Sequence, residues 1–282
     1  YDLGLNEGYI NEALKFGDGL YIARVSVQHG DLYKVITEEG EMLAEVSGKL
    51  GYAAKSIDWY PAVGDWVLVD RKNDKNGNSI IHHILSRISC FERKTSGVRT
   101  ERQIVAANID TVFVCMSLNN NFNVRRLERY ISVAWNSNAM PVIILTKADL
   151  CRNIESKLLE VEAAAPGVDI VVTSCISEDG YSCIERYIKK GKTAAFIGSS
   201  GVGKSTLINM LKGRDILKTN NIGSDDKGRH TTTKRQLILL PQGGVVIDTP
   251  GMRELGIINA DLDKSFSDIE ELALKCKFSD CL

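Results

Sequence analysis

The sequence predicts a multi-domain protein: an all-β barrel of OB type, then an α/β domain, then the start of a third, cysteine-bearing region. Three observations carry this. Up to about residue 93 the apolar residues fall in short runs separated by turn formers. From Asp110 onward, β-like runs alternate with segments of helical spacing, and the chain closes on Cys276 and Cys281 with four residues between them.

The first region has apolar or alternating runs at 19–27, 32–37, 42–46, 64–69 and 79–84. His29-Gly30-Asp31, Glu38-Glu39-Gly40 and Asp74-Lys75-Asn76-Gly77-Asn78 separate some of them, which is turn chemistry between strands. Five such strands fit an OB-type barrel over residues 1–93, a common platform for oligonucleotides, although a fold alone does not prove a function. Arg87, Arg93, Lys94, Arg99 and Arg102 then crowd a stretch holding only Glu92 and Glu101 as acids. On composition, this reads as a solvated linker.

Over 94–258 the pattern is strand and helix in alternation, as in a parallel sheet with crossover helices. A strand is expected at 111–116; Val124, Leu127, Ile131, Ala134 and Trp135 follow at helical spacing behind an Asn123 cap. Further strands at 142–145, 169–172, 193–197, 236–240 and 245–248 make six.

These strands deliver the residues that carry chemistry. After 193–197 comes Gly198-Ser199-Ser200-Gly201-Val202-Gly203-Lys204-Ser205-Thr206, a phosphate loop. Its glycines let backbone N–H groups turn onto phosphate oxygens at a helix N-terminus; Lys204 would reach the β- and γ-phosphates and the Ser205 hydroxyl would ligate Mg²⁺. Asp248 ends an apolar strand and opens Asp-Thr-Pro-Gly, so its carboxylate is placed to hold Mg²⁺ while the Gly251 N–H meets the γ-phosphate. Thr146-Lys147-Ala148-Asp149 also ends a strand, and a carboxylate at Asp149 can accept both guanine N1–H and the 2-amino group, donors that adenine lacks. Ser174 and Cys175 stand where a backbone N–H would meet guanine O6.

The order of these motifs is informative. Ordinary GTPases place the phosphate loop first and the base-reading motifs last; here the base-reading motifs come first, which reads as a circularly permuted GTPase. A nucleotide-gated RNA-binding module with incidental turnover and an ATP-dependent P-loop enzyme are the alternatives. Met252 replaces the Gln that many GTPases use to orient water, so intrinsic hydrolysis should be slow. His230, beside the Mg²⁺-sensing candidates Thr231 and Thr232, could supply the missing group.

At 282 residues and 44% hydrophobic content the chain can bury more than one core. Its net charge of -1 gives no general pull towards nucleic acid. No apolar stretch approaches the roughly 20 residues of a membrane span, no signal peptide is visible, and seven scattered cysteines do not form a disulfide framework, so a cytoplasmic setting is expected.

The sequence at 198–209, Gly228-Arg229-His230-Thr231-Thr232-Thr233, Asp248-Thr249-Pro250-Gly251-Met252-Arg253-Glu254 and Val63-Gly64-Asp65-Trp66-Val67 together resemble the RsgA (YjeQ) family over essentially the whole chain. The resemblance implies GTP hydrolysis coupled to late maturation of the small ribosomal subunit, with GTP or GDP, the subunit and its rRNA as partners, no membrane, and a monomer. It also implies a C-terminal zinc domain with a Cys-x4-Cys-x-His-x5-Cys pattern, beginning about residue 259. Cys276 and Cys281 match its first two ligands, and the His would fall just after Leu282. By themselves these two residues read as buried or free cysteines rather than as a zinc site, since a structural site needs four ligands.

Overall fold

The computed structural model describes residues 2–54, 56–75, 77–94, 102–174, 182–213 and 235–248. The first region is a closed barrel of β1 (Tyr21–His29), β2 (Leu32–Thr37), β3 (Gly40–Val46), β4 (Trp66–Val69) and β5 (Ser79–Ile84). β1–β2–β3 is an antiparallel meander; β5 pairs parallel with β3 and antiparallel with β4, and β4 returns to β1. The period-2 pattern of each strand sends Tyr33, Val35, Met42 and Ala44 inward while Lys34 and Glu45 face water. All five expected strands form, with ends shifted by two residues or fewer. α2 (Gly48–Ala53) follows β3, capped by the Ser47 hydroxyl.

α1 (Glu7–Ala13), capped by Asn6, precedes the barrel and lays Tyr9 against Trp66. The basic stretch contains an antiparallel ribbon rather than a plain linker: β6 (Cys90–Lys94) pairs with β7 (Arg102–Ala107). Its Phe91, Val105 and Ala106 are buried in the α/β core. Arg87 is structural, donating to both oxygens of buried Asp65 at 2.8 and 2.7 Å and to the Asp58 and Tyr60 carbonyls. Two parallel hydrogen bonds within a charge pair commit it to the barrel wall.

The α/β region contains β8 (Thr111–Ser117), α3 (Val124–Asn136), β9 (Met140–Thr146), α4 (Ile154–Ala164), β10 (Asp169–Val172), α5 (Ser182–Glu185), β11 (Thr193–Ile197), α6 (Lys204–Lys212), β12 (Gln236–Leu239) and β13 (Val245–Asp248). In space the strands run β10-β9-β8-β11-β13-β12, parallel except for β12. The six strands match those read from the sequence, and β11, fourth in the chain, enters beside the first. β8 is buried throughout: Val112, Val114 and Met116 face one apolar layer, Phe113 and Cys115 the other. A strand covered on both faces needs a continuous apolar run, which is what its sequence supplies.

Barrel and α/β sheet are joined edge to edge, β1 to β12 at Val27 and Gln236, so that eleven strands form one sheet. The seam is closed by Arg24, which is buried and, among the described residues, has no carboxylate bonded to it. Its Nε donates to Gly64 O and its Nη2 to Asn108 O, both at 3.1 Å, and its Nη1 donates to Leu3 O. Asn108, held at φ +56°, accepts from the Tyr9 hydroxyl and from Ile88 N and donates to Gly64 O.

Candidate functional site

The phosphate loop leaves β11 at the carboxyl edge of the sheet, between β8 and β13. Gly198 has φ +144°, and a Cβ there would lie 2.4 Å from Cys115 O, so the loop can turn off the sheet only with glycine. Gly201 and Gly203 also have positive φ, and Gly203 stands at the N-cap of α6. The Lys204 ammonium bends back over the loop and donates to the carbonyls of Gly198 and Ser199, 2.7 Å each. Ser205 and Thr206 lie in the first turn of α6, half-buried.

Asp248 ends β13, the parallel neighbour of β11. It is 8% exposed, and its Oδ2 has no hydrogen-bond partner among the described residues. Burial pushes its carboxyl up to about 6, against the pull of the Lys204 charge. A buried carboxylate oxygen without a donor, at the end of the strand next to the phosphate loop, fits a hard cation.

The segment expected from its motif to read the base forms at the same edge. Lys147 is left-handed at φ +59°, and the 3₁₀ turn Ala148–Leu150 follows it. Thr173 N bonds Leu145 O at 2.8 Å and Ala148 N bonds Thr173 O, which brings Ser174 beside Asp149; the Ser174 hydroxyl donates to the Asp149 carboxylate. Thr146 is not at the surface of this turn. It is buried, and its hydroxyl donates to Val202 O at 2.6 Å, tying the base-reading strand to the phosphate loop. Sequence reasoning grouped Thr146 with the nucleotide contacts; its side chain here makes an internal tie.

Loop 198–206, Asp248, Thr146, Lys147, Ala148, Asp149 and Ser174 are thus gathered at the carboxyl edge of the sheet, where open α/β sheets bind ligands. Cys175, His230, Thr231, Thr232, Gly251, Met252, Cys276 and Cys281 lie outside the described residues. One neighbour of the loop went unnoticed in the sequence: Asn121 Nδ2 donates to Ser199 Oγ at 3.1 Å. The run Asn119-Asn120-Asn121 after a buried strand was the only visible signal. A cavity of about 1020 Å³, lined by Arg24, Trp66, Asp110, Trp135 and Lys192 among others, lies on the barrel seam at the amino end of β8, away from this edge. Volume alone does not locate the chemistry. Among the described residues no helix is long and apolar enough to cross a membrane, and Cys90, Cys115, Cys151 and Cys183 form no disulfide with one another.

Residues 84–258 match the model of the RsgA GTPase family. The chain is 52% identical over 265 residues to small ribosomal subunit biogenesis GTPase RsgA 2 of Lactiplantibacillus plantarum, covering 94% of this chain and 74% of that one. It is 46% identical over 261 residues to RsgA 1 of Listeria innocua, with 92% and 73% covered. Among solved structures, YjeQ from Thermotoga maritima superposes with a TM-score of 0.67 at 26% identity, over 93% of this chain and 86% of that one. YloQ, a circularly permuted GTPase, superposes at 0.63 and 24% identity over 94% and 84%, a likeness of fold. With the motif order, the sheet order and these relatives in agreement, the chain belongs to the RsgA GTPase family and is a GTP hydrolase with a circularly permuted fold.

Proposed function

We propose that this GTPase acts in late maturation of the small ribosomal subunit, gripping subunit rRNA through its N-terminal barrel, which we read as an OB fold, and through a C-terminal zinc region. The observation that supports this most is the identity of 52% and 46%, over more than nine-tenths of the chain, to relatives named for small ribosomal subunit biogenesis. On this reading residues 1–93 are the RNA-binding barrel, 94–258 the GTPase domain and 259–282 the start of the zinc domain, in a monomer of the cytoplasm.

In the site, Asp149 pairs with the guanine N1–H and 2-amino group, and Ser174 and Cys175 frame O6. Backbone N–H groups of 198–206 cradle the phosphates, which draw the Lys204 ammonium off the Gly198 and Ser199 carbonyls. Ser205, Asp248 and one of Thr231 and Thr232 would hold Mg²⁺, which when bound neutralises phosphate charge. The Gly251 N–H meets the γ-phosphate. Because Met252 cannot orient water, His230 or the ribosome supplies that function. Cys276 and Cys281 are the first half of a zinc site, whose other ligands follow in the family pattern.

Nucleotide competition followed by GTPase rates with and without small subunits tests this reading. GTP should displace bound GDP while ATP does not, and Asp149→Asn should lose at least about 2 kcal/mol of GTP binding and shift towards xanthosine nucleotides. Subunits should accelerate the parent strongly and His230→Ala little. Equal acceleration of both removes His230 from catalysis, and acceleration of neither rejects the ribosome-dependent reading. For zinc, elemental analysis of a chain carrying the whole ligand pattern should find about one ion, lost on Cys276→Ser.

A further inference from the structure

Between β8 and α3 the chain runs Leu118-Asn119-Asn120-Asn121-Phe122-Asn123, and three of its asparagines make different bonds. Asn119 Oδ1 accepts from the Ser117 hydroxyl at 2.8 Å and from Asn121 N at 3.1 Å, and Phe122 N bonds Asn119 O, which closes a turn. Asn123 caps α3 through Arg126 N. Asn121 is directed at the phosphate loop, its Nδ2 on Ser199 Oγ at 3.1 Å.

The orientation of that amide is set from behind. Arg126 Nη2 donates to Asn121 Oδ1 at 2.8 Å and to the Asn121 carbonyl. A guanidinium only donates, so the amide atom it meets must be the oxygen, and the NH₂ must face Ser199. The turn is held from α4 as well: Lys157 Nζ donates to Leu118 O at 2.7 Å and lies 4.7 Å over the Phe122 ring. α4 follows directly on the base-reading turn at 148–150. A chain of hydrogen-bonded groups therefore runs from the element behind Asp149, through Lys157 and the turn, to Ser199.

We propose that Asn121, aimed by Arg126, is a positioning residue for the phosphate loop. Ser199 bears one of the two carbonyls that hold Lys204, so fixing the Ser199 hydroxyl fixes the arc over which phosphates replace those carbonyls as partners of the ammonium. A loop held in its binding shape before the ligand arrives loses less conformational freedom on binding, and that gain appears mainly as slower nucleotide release. This rests on the reading of 198–206 as the nucleotide site.

The experiment measures GDP binding with Mg²⁺ and the GDP release rate, alongside thermal melting. Asn121→Ala and Ser199→Ala should each weaken GDP about five- to tenfold through faster release, the size expected for one hydrogen bond. The double variant should be no weaker than either single one, because both remove the same bond. Ser199→Thr keeps the hydroxyl and should bind as the parent does, a rescue that a merely structural role does not predict. Losses that add in the double variant, or GDP affinity unchanged in Ser199→Ala, overturn the proposal. Should Asn121→Ala melt well below the parent, the comparison of Ser199→Ala with Ser199→Thr decides alone, since both leave Asn121 and Arg126 intact. Lys204→Ala separates the two readings: if it leaves GDP binding untouched, the site assignment itself fails. If it abolishes binding while Ser199→Ala does not weaken it, only the brace fails.

Discussion

Asp248 shows how burial and charge compete at a single residue. Burial outweighs the nearby Lys204 and pushes its carboxyl up to about 6, from an ordinary value of 3.8. Between those values the folded state holds a proton that the unfolded chain has released. The group's contribution is therefore most favourable below about pH 4 and falls as pH rises through 6, by at most about 3 kcal/mol. The ligand-free parent should lose that stability, relative to Asp248→Asn, between pH 4 and 7, as read by denaturant unfolding; parallel curves for the two proteins refute the assignment. A buried carboxyl whose Oδ2 has no hydrogen-bond partner among the described residues is tolerated where a cation is to be held, and the motif order pointed to this residue from sequence alone. Thr146 adds what its motif does not show: its hydroxyl bonds Val202 O, a partner 56 residues along the chain that only the sheet brings near.

At the scale of elements, glycines distinguish turns that are merely tight from places where two elements touch. Gly30 has φ +62° with nothing within 4 Å of a built Cβ, so Gly30→Ala should cost only about 1 kcal/mol of left-handed strain. Gly64 has φ +94°, and its Cβ would meet Ala107 O at 2.2 Å and Ile247 Cδ1 at 2.8 Å. Neither the β7 carbonyl nor the central β13 side chain can retreat, so Gly64→Ala should cost about 3 kcal/mol or more. Because Ile247 precedes Asp248, it should also weaken Mg²⁺-dependent nucleotide binding. Comparing the two melting temperatures checks this; equal effects would mean that the barrel does not press on β13. The strands themselves were legible because each is a buried apolar run between turn formers. The ribbon β6–β7 was not, since its basic residues resemble a solvated linker while Phe91, Val105 and Ala106 are what bury it.

At the scale of the whole molecule, the barrel and the permuted α/β sheet are held in one continuous sheet. Among the described residues one register pair, Val27 with Gln236, joins their sheets, and Gln236 is in turn paired with Asp248. Arg24 holds the seam by donating to carbonyls of the N-terminal segment, the barrel and the β7–β8 connection. Burial lowers its pKa to about 10. Its planar, five-donor head reaches three carbonyls that a lysine could not satisfy at once, so Arg24→Lys should be nearly as damaging as Arg24→Met. Each should cost about 3 kcal/mol, since buried carbonyls are left without donors. Limited proteolysis should then cut between barrel and GTPase domain well before the parent is cut. An Arg24→Lys protein as resistant as the parent would show that charge, not geometry, closes the seam.

The sequence by itself determined the five barrel strands, the six strands of the α/β sheet, the place of the glycine-rich loop between a strand and a helix, and the fact of permutation. Apolar periodicity, glycine placement and motif order are local properties, readable without knowing which strands are neighbours. Tertiary structure alone decided that β11 lies between β8 and β13, that β12 takes the edge of the barrel, that Arg87 serves Asp65, and that Thr146 and Asn121 hold the phosphate loop from two sides. Each of these depends on hydrogen bonds between residues far apart in the chain. The partners available to a polar side chain are set by strand order and register, and no window of sequence contains them.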